Sequence, residues 1–117
     1  MLDNRQLNVA EPVRIEEVNS VIEKQIKENK LLVYMKGSSV FPQCGFSARV
    51  IEILNMLNAD YKTFDVLSDP VIREGIKRFS NWPTIPQVYF NNEFIGGCDI
   101  LTEMYQKGEL QELIGQG

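Results

Sequence analysis

The sequence contains no histidine and only two cysteines, Cys44 and Cys98. Without histidine, a cysteine nucleophile lacks its usual partner and the chain lacks the commonest general base, which argues against cysteine-protease chemistry. Two cysteines also fall short of the four ligands that a structural zinc site within one chain requires. Any activation of a thiol must therefore come from lysine, from arginine or from backbone dipoles.

Long hydrophobic segments are absent as well. The longest apolar run is Leu31–Met35, far shorter than the roughly 20 residues of a transmembrane helix, so we expect no membrane span. Residues 1–5 include an acid and precede no hydrophobic segment, which predicts neither a secretory signal nor an Arg-rich transit peptide. The resulting expectation is a cytoplasmic protein whose cysteines are thiols.

Clustered positive charge is the third missing feature. The formal net charge is -4, and no group of Lys and Arg residues is dense enough to neutralise a run of phosphates. Binding to nucleic acid is therefore not expected. The 117 residues are enough for one compact domain and too few for two ordinary ones.

The residues that are present predict an alternating order of helices and strands. Residues 1–11 lack periodicity and are expected to form a flexible leader. A first amphipathic helix carries apolar residues at helical spacing, namely Ile15, Val18, Ile22 and Ile26. The unbroken run Leu31–Met35 predicts a strand buried on both faces. The loop Gly37–Gln43 follows, and a helix begins at Cys44 with Val50, Ile51, Leu54 and Leu57 on one stripe.

The second half of the chain predicts three more strands. Residues 61–66 alternate as in a strand, and Asp69-Pro70 opens a helix whose inward face is Ile72, Ile76 and Phe79. Residues 87–90 and 93–95 predict a hairpin that turns at Asn91-Asn92. A last helix over residues 99–106 ends at Gly108, before a short helical tail. The predicted fold is α/β and thioredoxin-like, with a mixed four-stranded sheet flanked by helices.

Cys44 is the residue to which the sequence assigns chemistry. At a helix N-terminus, unpaired N–H groups and the positive end of the helix dipole favour the thiolate. The alternative is that Cys44 is a small buried hydrophobic residue. Ser47 occupies the position where a Cys-x-x-Cys redox motif has its resolving cysteine, so an outside thiol such as glutathione, or Cys98, must resolve a mixed disulfide on Cys44. Ser47 is otherwise an ordinary residue of a first helical turn.

Four separate segments together resemble the monothiol glutaredoxin family. They are Lys36-Gly37 with Pro42, Cys44-Gly45-Phe46-Ser47, Trp82-Pro83-Thr84-Ile85-Pro86, and Gly96-Gly97-Cys98-Asp99. The resemblance covers roughly residues 15 to 115 and implies a glutaredoxin domain over residues 12–117. Relatives commonly carry proline in the loop after Lys-Gly, where this chain has Ser39, and the loop is expected to be less rigid.

The resemblance implies a groove that binds glutathione beside Cys44. Lys36 and Arg73 would pair with the glycine carboxylate of glutathione, although either could be a plain surface residue. The backbone of Ile85, before a cis Pro86, would pair with the cysteinyl part. Cys98 and Asp99 would hold the γ-glutamyl end, a role that is compatible with Asp99 capping its own helix.

The same resemblance implies a labile [2Fe-2S] cluster shared between two subunits. Each subunit would give Cys44 as a metal ligand, and each of two glutathiones would give a thiolate. The implied role is cluster storage or transfer to apo iron–sulfur proteins, with a homodimer when cluster-bound and a BolA-type protein as a further partner. The alternative stays open that Cys44 is the nucleophile of glutathione-dependent protein deglutathionylation, an activity that the resemblance implies is at most weak.

Overall fold

The computed structural model describes residues 3–116 and contains one four-stranded sheet. Its strands are β1 (Leu31–Met35), β2 (Lys62–Asp65), β3 (Gln87–Phe90) and β4 (Glu93–Gly96), in the spatial order β2-β1-β3-β4. Strand β1 pairs parallel with β2 and antiparallel with β3, and β3 pairs antiparallel with β4. The predicted mixed, thioredoxin-like sheet is confirmed.

Helices cover both faces of the sheet. They are α1 (Val18–Glu28), α2 (Gly45–Met56), α3 (Pro70–Ser80), α4 (Cys98–Gln106) and α5 (Glu109–Gln116). Leu31, Val33 and Met35 of β1 pack with α2, α4 and α5, whereas Leu32 and Tyr34 pack with α1 and α3. Alternation along a strand thus sends one apolar run into two cores, which explains why β1 lacks a polar face.

The start of α3 shows how local sequence positions a helix. The Asp69 side chain accepts hydrogen bonds from Val71 N (2.9 Å) and Ile72 N (3.2 Å), and Pro70 occupies the first turn. These are the expected roles of an N-cap and of an N-terminal proline. The same carboxylate also accepts from Val13 N at 3.1 Å, so it ties the segment before α1 to α3.

Two predicted core positions are wrong. Ile15 is 71% exposed, because it lies in a 3₁₀ turn (Ile15–Glu17) whose three-residue period breaks the spacing of the α-helix that follows. Phe79 is also exposed, and its ring only flanks that of Tyr89, with 6.5 Å between centroids. It lies in the last turn of α3, where it lines a surface pocket with Glu23, Ile26 and Lys27 of α1 and does not enter the core.

Other boundaries follow the predictions closely. Asn91 and Asn92 have φ of 49° and 71°, as a tight hairpin turn requires. Strand β2 ends at Asp65, because the Asp65 carboxylate accepts from Leu67 N and opens a 3₁₀ turn there. Helix α4 begins at Cys98, one residue earlier than predicted. Within residues 3–116, no helix is both long and apolar enough to cross a membrane.

The leader contacts the outer edge of β2. Gln6 forms an isolated parallel bridge with Thr63, in which Leu7 N donates to Thr63 O (2.7 Å) and Thr63 N donates to Arg5 O (2.9 Å). Residues 5–7 therefore have defined partners on the sheet. How far the leader moves in solution stays a prediction.

Candidate functional site

Cys44 is the N-cap residue of α2, as its place in the sequence predicted. Its backbone is extended (φ -154°, ψ 138°), and its carbonyl accepts the first hydrogen bond of the helix from Ala48 N at 2.9 Å. The thiol is only partly buried and forms no disulfide. This position leaves the thiol accessible in front of the free N–H groups of the first helical turn.

The surroundings of Cys44 favour its thiolate. Burial raises the pKa of the thiol, but donors outweigh it: the N–H groups of Ser47 and Phe46, the Ser47 hydroxyl and, last, the charge of Lys36. The pKa therefore lies below the ordinary value of a cysteine. The Cys44 sulfur makes no N-cap hydrogen bond to the helix. The N–H groups of Phe46 and Ser47 and the Ser47 hydroxyl are therefore available to stabilise a thiolate.

Ser47 is more than an ordinary helical residue. It is fully buried, and its hydroxyl oxygen accepts a hydrogen bond from Lys36 N at 3.1 Å. Because Lys36 directly follows β1, this bond joins the end of the strand to the first turn of α2. The residue in the place of a resolving cysteine thus helps to hold the site together, and its own O–H remains available to the Cys44 sulfur.

Replacing Ser47 with alanine should raise the pKa of Cys44, because a donor to the thiolate is lost. The pH dependence of Cys44 alkylation by iodoacetamide measures this, and its midpoint should move to higher pH. Lys36→Ala removes the weakest of the favourable contributions and should give a smaller rise. Equal pH profiles for wild type and Ser47→Ala would contradict a role of the hydroxyl.

The loop between β1 and α2 folds back on itself and brings Lys36 towards Cys44. Gln43 N donates to Lys36 O (2.8 Å), Ser38 N donates to Phe41 O (3.2 Å), and Gly37 N donates to the Asp65 carboxylate (2.9 Å). Gly37 has a φ of 87°, a backbone conformation that residues with a side chain rarely adopt. The tip of the loop presents Phe41, which is 72% exposed.

A groove of about 170 Å³ lies beside the front of α2. Its lining comes from three segments, namely Phe46, then Trp82 with Thr84–Pro86, and then residues 97–100. The Ile85–Pro86 peptide bond is cis, as predicted. At Gly97 a Cβ atom would lie 3.0 Å from Pro86 O and 3.3 Å from Trp82 Nε1, so a side chain there would press on the groove wall.

Gln87 is a site residue that the sequence did not reveal. Its side chain is fully buried, and Nε2 donates to Trp82 O (3.0 Å) and Thr84 O (3.3 Å). Its Oε1 accepts from the Tyr89 hydroxyl at 3.1 Å. Gln87 therefore fixes the loop that forms the groove wall. The sequence feature that could have revealed this role is the amide side chain of Gln87 beside the apolar residues of β3.

The predicted site residues fall into three places. Ile85, Cys98 and Asp99 line the groove, whereas Lys36 lies close to Cys44. Arg73 lies on α3, outside the groove lining, and its buried Nε has no hydrogen-bond partner among the described residues. Among the described residues, neither Lys36 nor Arg73 lies within 4.0 Å of a carboxylate. Within residues 3–116, no three Cys, Asp or Glu side chains lie close enough together to hold a metal ion.

A larger cavity lies at the other end of β1. Its volume is about 550 Å³, and its lining includes Lys30, Leu57, Phe90 and Ile114. It contains neither cysteine nor any predicted site residue. The smaller groove beside α2 is lined by Ile85, Cys98 and Asp99, whereas Cys44 precedes the lining residue Phe46 by two positions and is not itself part of the lining.

Comparison with known proteins gives a family match that includes Lys36, Cys44 and Ile85 and ends before Cys98 and Asp99. A family model described as glutaredoxin matches residues 31–95. An uncharacterized ycf64-like monothiol glutaredoxin of Synechocystis sp. is 56% identical over 98 residues, which cover 84% of this chain and 92% of that protein. The solution structure of reduced poplar apo GrxS14 is 43% identical, with a TM-score of 0.74, and the match covers 85% of this chain and 91% of that one. A buckwheat glutaredoxin–glutathione complex shares the fold at 23% identity, with a TM-score of 0.77 and coverage of 87% and 91%.

Proposed function

The chain belongs to the monothiol glutaredoxin family, and we propose that it binds glutathione beside Cys44 and carries a labile [2Fe-2S] cluster between two subunits. The observation that carries the proposal is the site of Cys44. One thiol with a lowered pKa stands at a helix N-terminus, and a buried serine replaces the resolving cysteine. Such a thiolate needs an outside sulfur for either metal binding or disulfide chemistry.

The charges around the site suit a tripeptide with two carboxylates. Lys36 and Arg73 have no carboxylate within 4.0 Å in the described chain, so both can pair with the glycine carboxylate of glutathione. The buried Nε of Arg73 also lacks a hydrogen-bond partner among the described residues. A small anion beside Arg73 would therefore satisfy a donor that the described residues leave without a partner.

The opposite end of the groove suits the γ-glutamyl group. Helix α4 has Gly97 as its N-cap, and no side chain caps its first turn. The N–H groups of Cys98 and Asp99 are therefore free for a carboxylate, while the Asp99 side chain can receive the ammonium group. Between the two ends, the backbone of Ile85 would pair with the cysteinyl residue of glutathione.

Removing one of the two cations should weaken glutathione binding. We expect Lys36→Ala and Arg73→Ala each to raise the Kd for glutathione by about tenfold, the value of one charge-assisted hydrogen bond. Isothermal titration of the reduced protein measures the Kd, and Lys24→Ala on the exposed face of α1 is the matched control. An unchanged Kd in both variants would place glutathione elsewhere.

A shared cluster follows from the number of sulfurs. One Cys44 and one glutathione give two thiolates, so two subunits with two glutathiones complete the four ligands of a [2Fe-2S] cluster. The surface around Cys44 suits a second subunit, since Phe41 and Phe46 are 72% and 62% exposed and Val40 is 50% exposed. Because half of the ligands would be diffusible, such a cluster is suited to storage and transfer rather than to permanent electron transfer.

Anaerobic reconstitution tests the proposal. The reduced protein is mixed with iron and sulfide, with and without glutathione, and followed by visible absorption and by size-exclusion chromatography. A coloured dimer that forms only with glutathione supports the shared-ligand arrangement. A colourless monomer that nevertheless reduces a glutathionylated protein would favour the enzymatic alternative.

The enzymatic alternative rests on the lowered pKa of Cys44. In that reaction the Cys44 thiolate attacks the glutathione sulfur of a mixed disulfide and releases the other protein as a thiolate. A second glutathione thiolate then attacks the Cys44–glutathione disulfide, which yields glutathione disulfide and restores Cys44. Both half-reactions use the groove already described.

The cellular partners and place are proposals as well. Apo iron–sulfur proteins would receive the cluster, and a BolA-type protein could replace one subunit of the dimer. The cytoplasmic location predicted from the N-terminal residues stays a prediction.

A further inference from the structure

We propose that the leader helps to position the site. In this proposal Asp3 is a positioning residue, and its hydrogen bond with Ser39 restrains the loop between β1 and α2. The proposal concerns residues 3–7, which precede the part of the chain that the family model matches. The proposal extends the proposed function. It depends on that function only in the experiment that measures glutathione binding.

Asp3 links the leader to the loop. Its Oδ2 accepts a hydrogen bond from Ser39 Oγ at 3.0 Å, and its Oδ1 accepts from Arg5 N at 3.0 Å. The second bond closes a local turn of the leader, so the carboxylate is fixed where Ser39 can reach it. A hydrogen bond to a charged acceptor is stronger than one between neutral groups.

The leader is itself anchored on the sheet. Besides the two backbone bonds between residues 5–7 and Thr63, Lys62 Nζ donates to Asn4 O at 3.4 Å. The Arg5 guanidinium lies 4.7 Å from the centre of the Tyr61 ring, a favourable cation–π arrangement. Because the leader is bonded to β2, the hydrogen bond between Asp3 and Ser39 fixes the loop relative to β2.

The loop needs such an anchor at its tip. Its start is fixed to β2 by the bond from Gly37 N to Asp65, and two hydrogen bonds inside the loop join Ser38 and Phe41. The Ser39 hydroxyl also lies near the Tyr61 hydroxyl, so Asp3 and Tyr61 are the contacts of Ser39 outside the loop among the described residues. Lys36 precedes the loop and Cys44 follows it, so movement of the tip changes the arrangement of both. The contact between Asp3 and Ser39 restrains this movement.

The residue at position 39 makes the contact available. A proline at position 39 would have no hydroxyl group and would limit loop motion by its own ring. Ser39 lacks that ring but can donate to Asp3. We infer that the leader supplies by a hydrogen bond the restraint that proline would supply covalently.

Four variants test the proposal in the full chain: Ser39→Ala, Asp3→Ala, the double variant, and Asp60→Ala as a matched exposed carboxylate away from the site. Amide hydrogen exchange of residues 38–41 reports the loop, and the glutathione Kd reports the site. The urea midpoint shows whether the whole fold has changed. Each single variant should speed exchange in the loop by about tenfold, the effect of one lost hydrogen bond, and raise the Kd by about threefold.

The double variant should match Ser39→Ala, because that substitution already removes the bond to Asp3. Urea midpoints of the three variants should fall by no more than the loss of this one bond accounts for, and Asp60→Ala should equal wild type in every measurement. Unchanged loop exchange in both single variants, or additive effects in the double variant, would overturn the proposal. If wild type does not bind glutathione, the proposed function fails, while the exchange data still decide whether the leader restrains the loop.

Discussion

Replacing Cys44 by serine is expected to abolish both cluster assembly and any reduction of glutathione mixed disulfides. A serine hydroxyl is not ionised near neutral pH, so it provides neither a soft metal ligand nor a nucleophile for sulfur. The surrounding donors lower the pKa of the Cys44 thiol, but their effect is far too small to ionise an alcohol. Absorption after reconstitution and turnover of a glutathionylated protein measure the two losses.

Cys98→Ser gives the contrast for this variant. Cys98 lies in the groove at the start of α4, so its replacement should weaken glutathione binding and leave cluster assembly measurable at saturating glutathione. If Cys44→Ser still assembles a cluster or turns over substrate, Cys98 must supply the reactive sulfur. The assignment of the site to the N-terminus of α2 would then be wrong.

Asp69→Ala should be among the most destabilising single substitutions in the chain. The buried carboxylate accepts three backbone N–H groups, those of Val71 and Ile72 in α3 and that of Val13 before α1. Losing the cap and leaving the N–H groups without partners should cost about 3 kcal/mol of the free energy of unfolding. For a domain of this size, the melting temperature should fall by about 10 °C or more.

Asp69→Asn separates the two roles of this residue. Its amide oxygen can still cap α3, but its NH₂ group cannot accept from Val13 N, so an intermediate loss is expected. Urea denaturation gives the free energies, and Asp60→Ala on the surface should stay within about 0.5 kcal/mol of wild type. Equal stabilities for Asp69→Ala and Asp60→Ala would show that water replaces the lost cap without cost.

The sequence predicted those parts of the fold whose signals are local. Leu31–Met35, the cap at Asp69-Pro70, the Asn91-Asn92 turn and the start of α2 at Cys44 each depend on a few adjacent residues. The cysteine site was predictable for the same reason, since a helix N-terminus lies within one short segment. Periodicity failed at Ile15 and Phe79, where the α-helix was beginning or ending.

Contacts between distant polar residues could not be predicted. Ser39 and Asp3 are 36 positions apart, and neither has a periodic pattern around it. Gln87 holds the groove wall from within an apolar strand, and its partners are backbone carbonyls, which leave no mark in the sequence. The bond between Ser47 and Lys36 likewise depends on how β1 and α2 meet. Such contacts appear only when the elements are assembled.

The position of the leader also bears on aggregation. Strands β2 and β4 are the two edges of the sheet, and an open edge invites pairing with another chain. Residues 5–7 occupy the outer side of Thr63, Lys62 adds a charge beside it, and at the other edge β4 carries the exposed Glu93 and a shift in register. The edge at β2 is therefore partly covered and the charge of Glu93 opposes pairing at β4, so uncontrolled growth of the sheet is disfavoured. A chain shortened by its first ten residues should therefore be more prone to form insoluble assemblies through β2 during expression or storage.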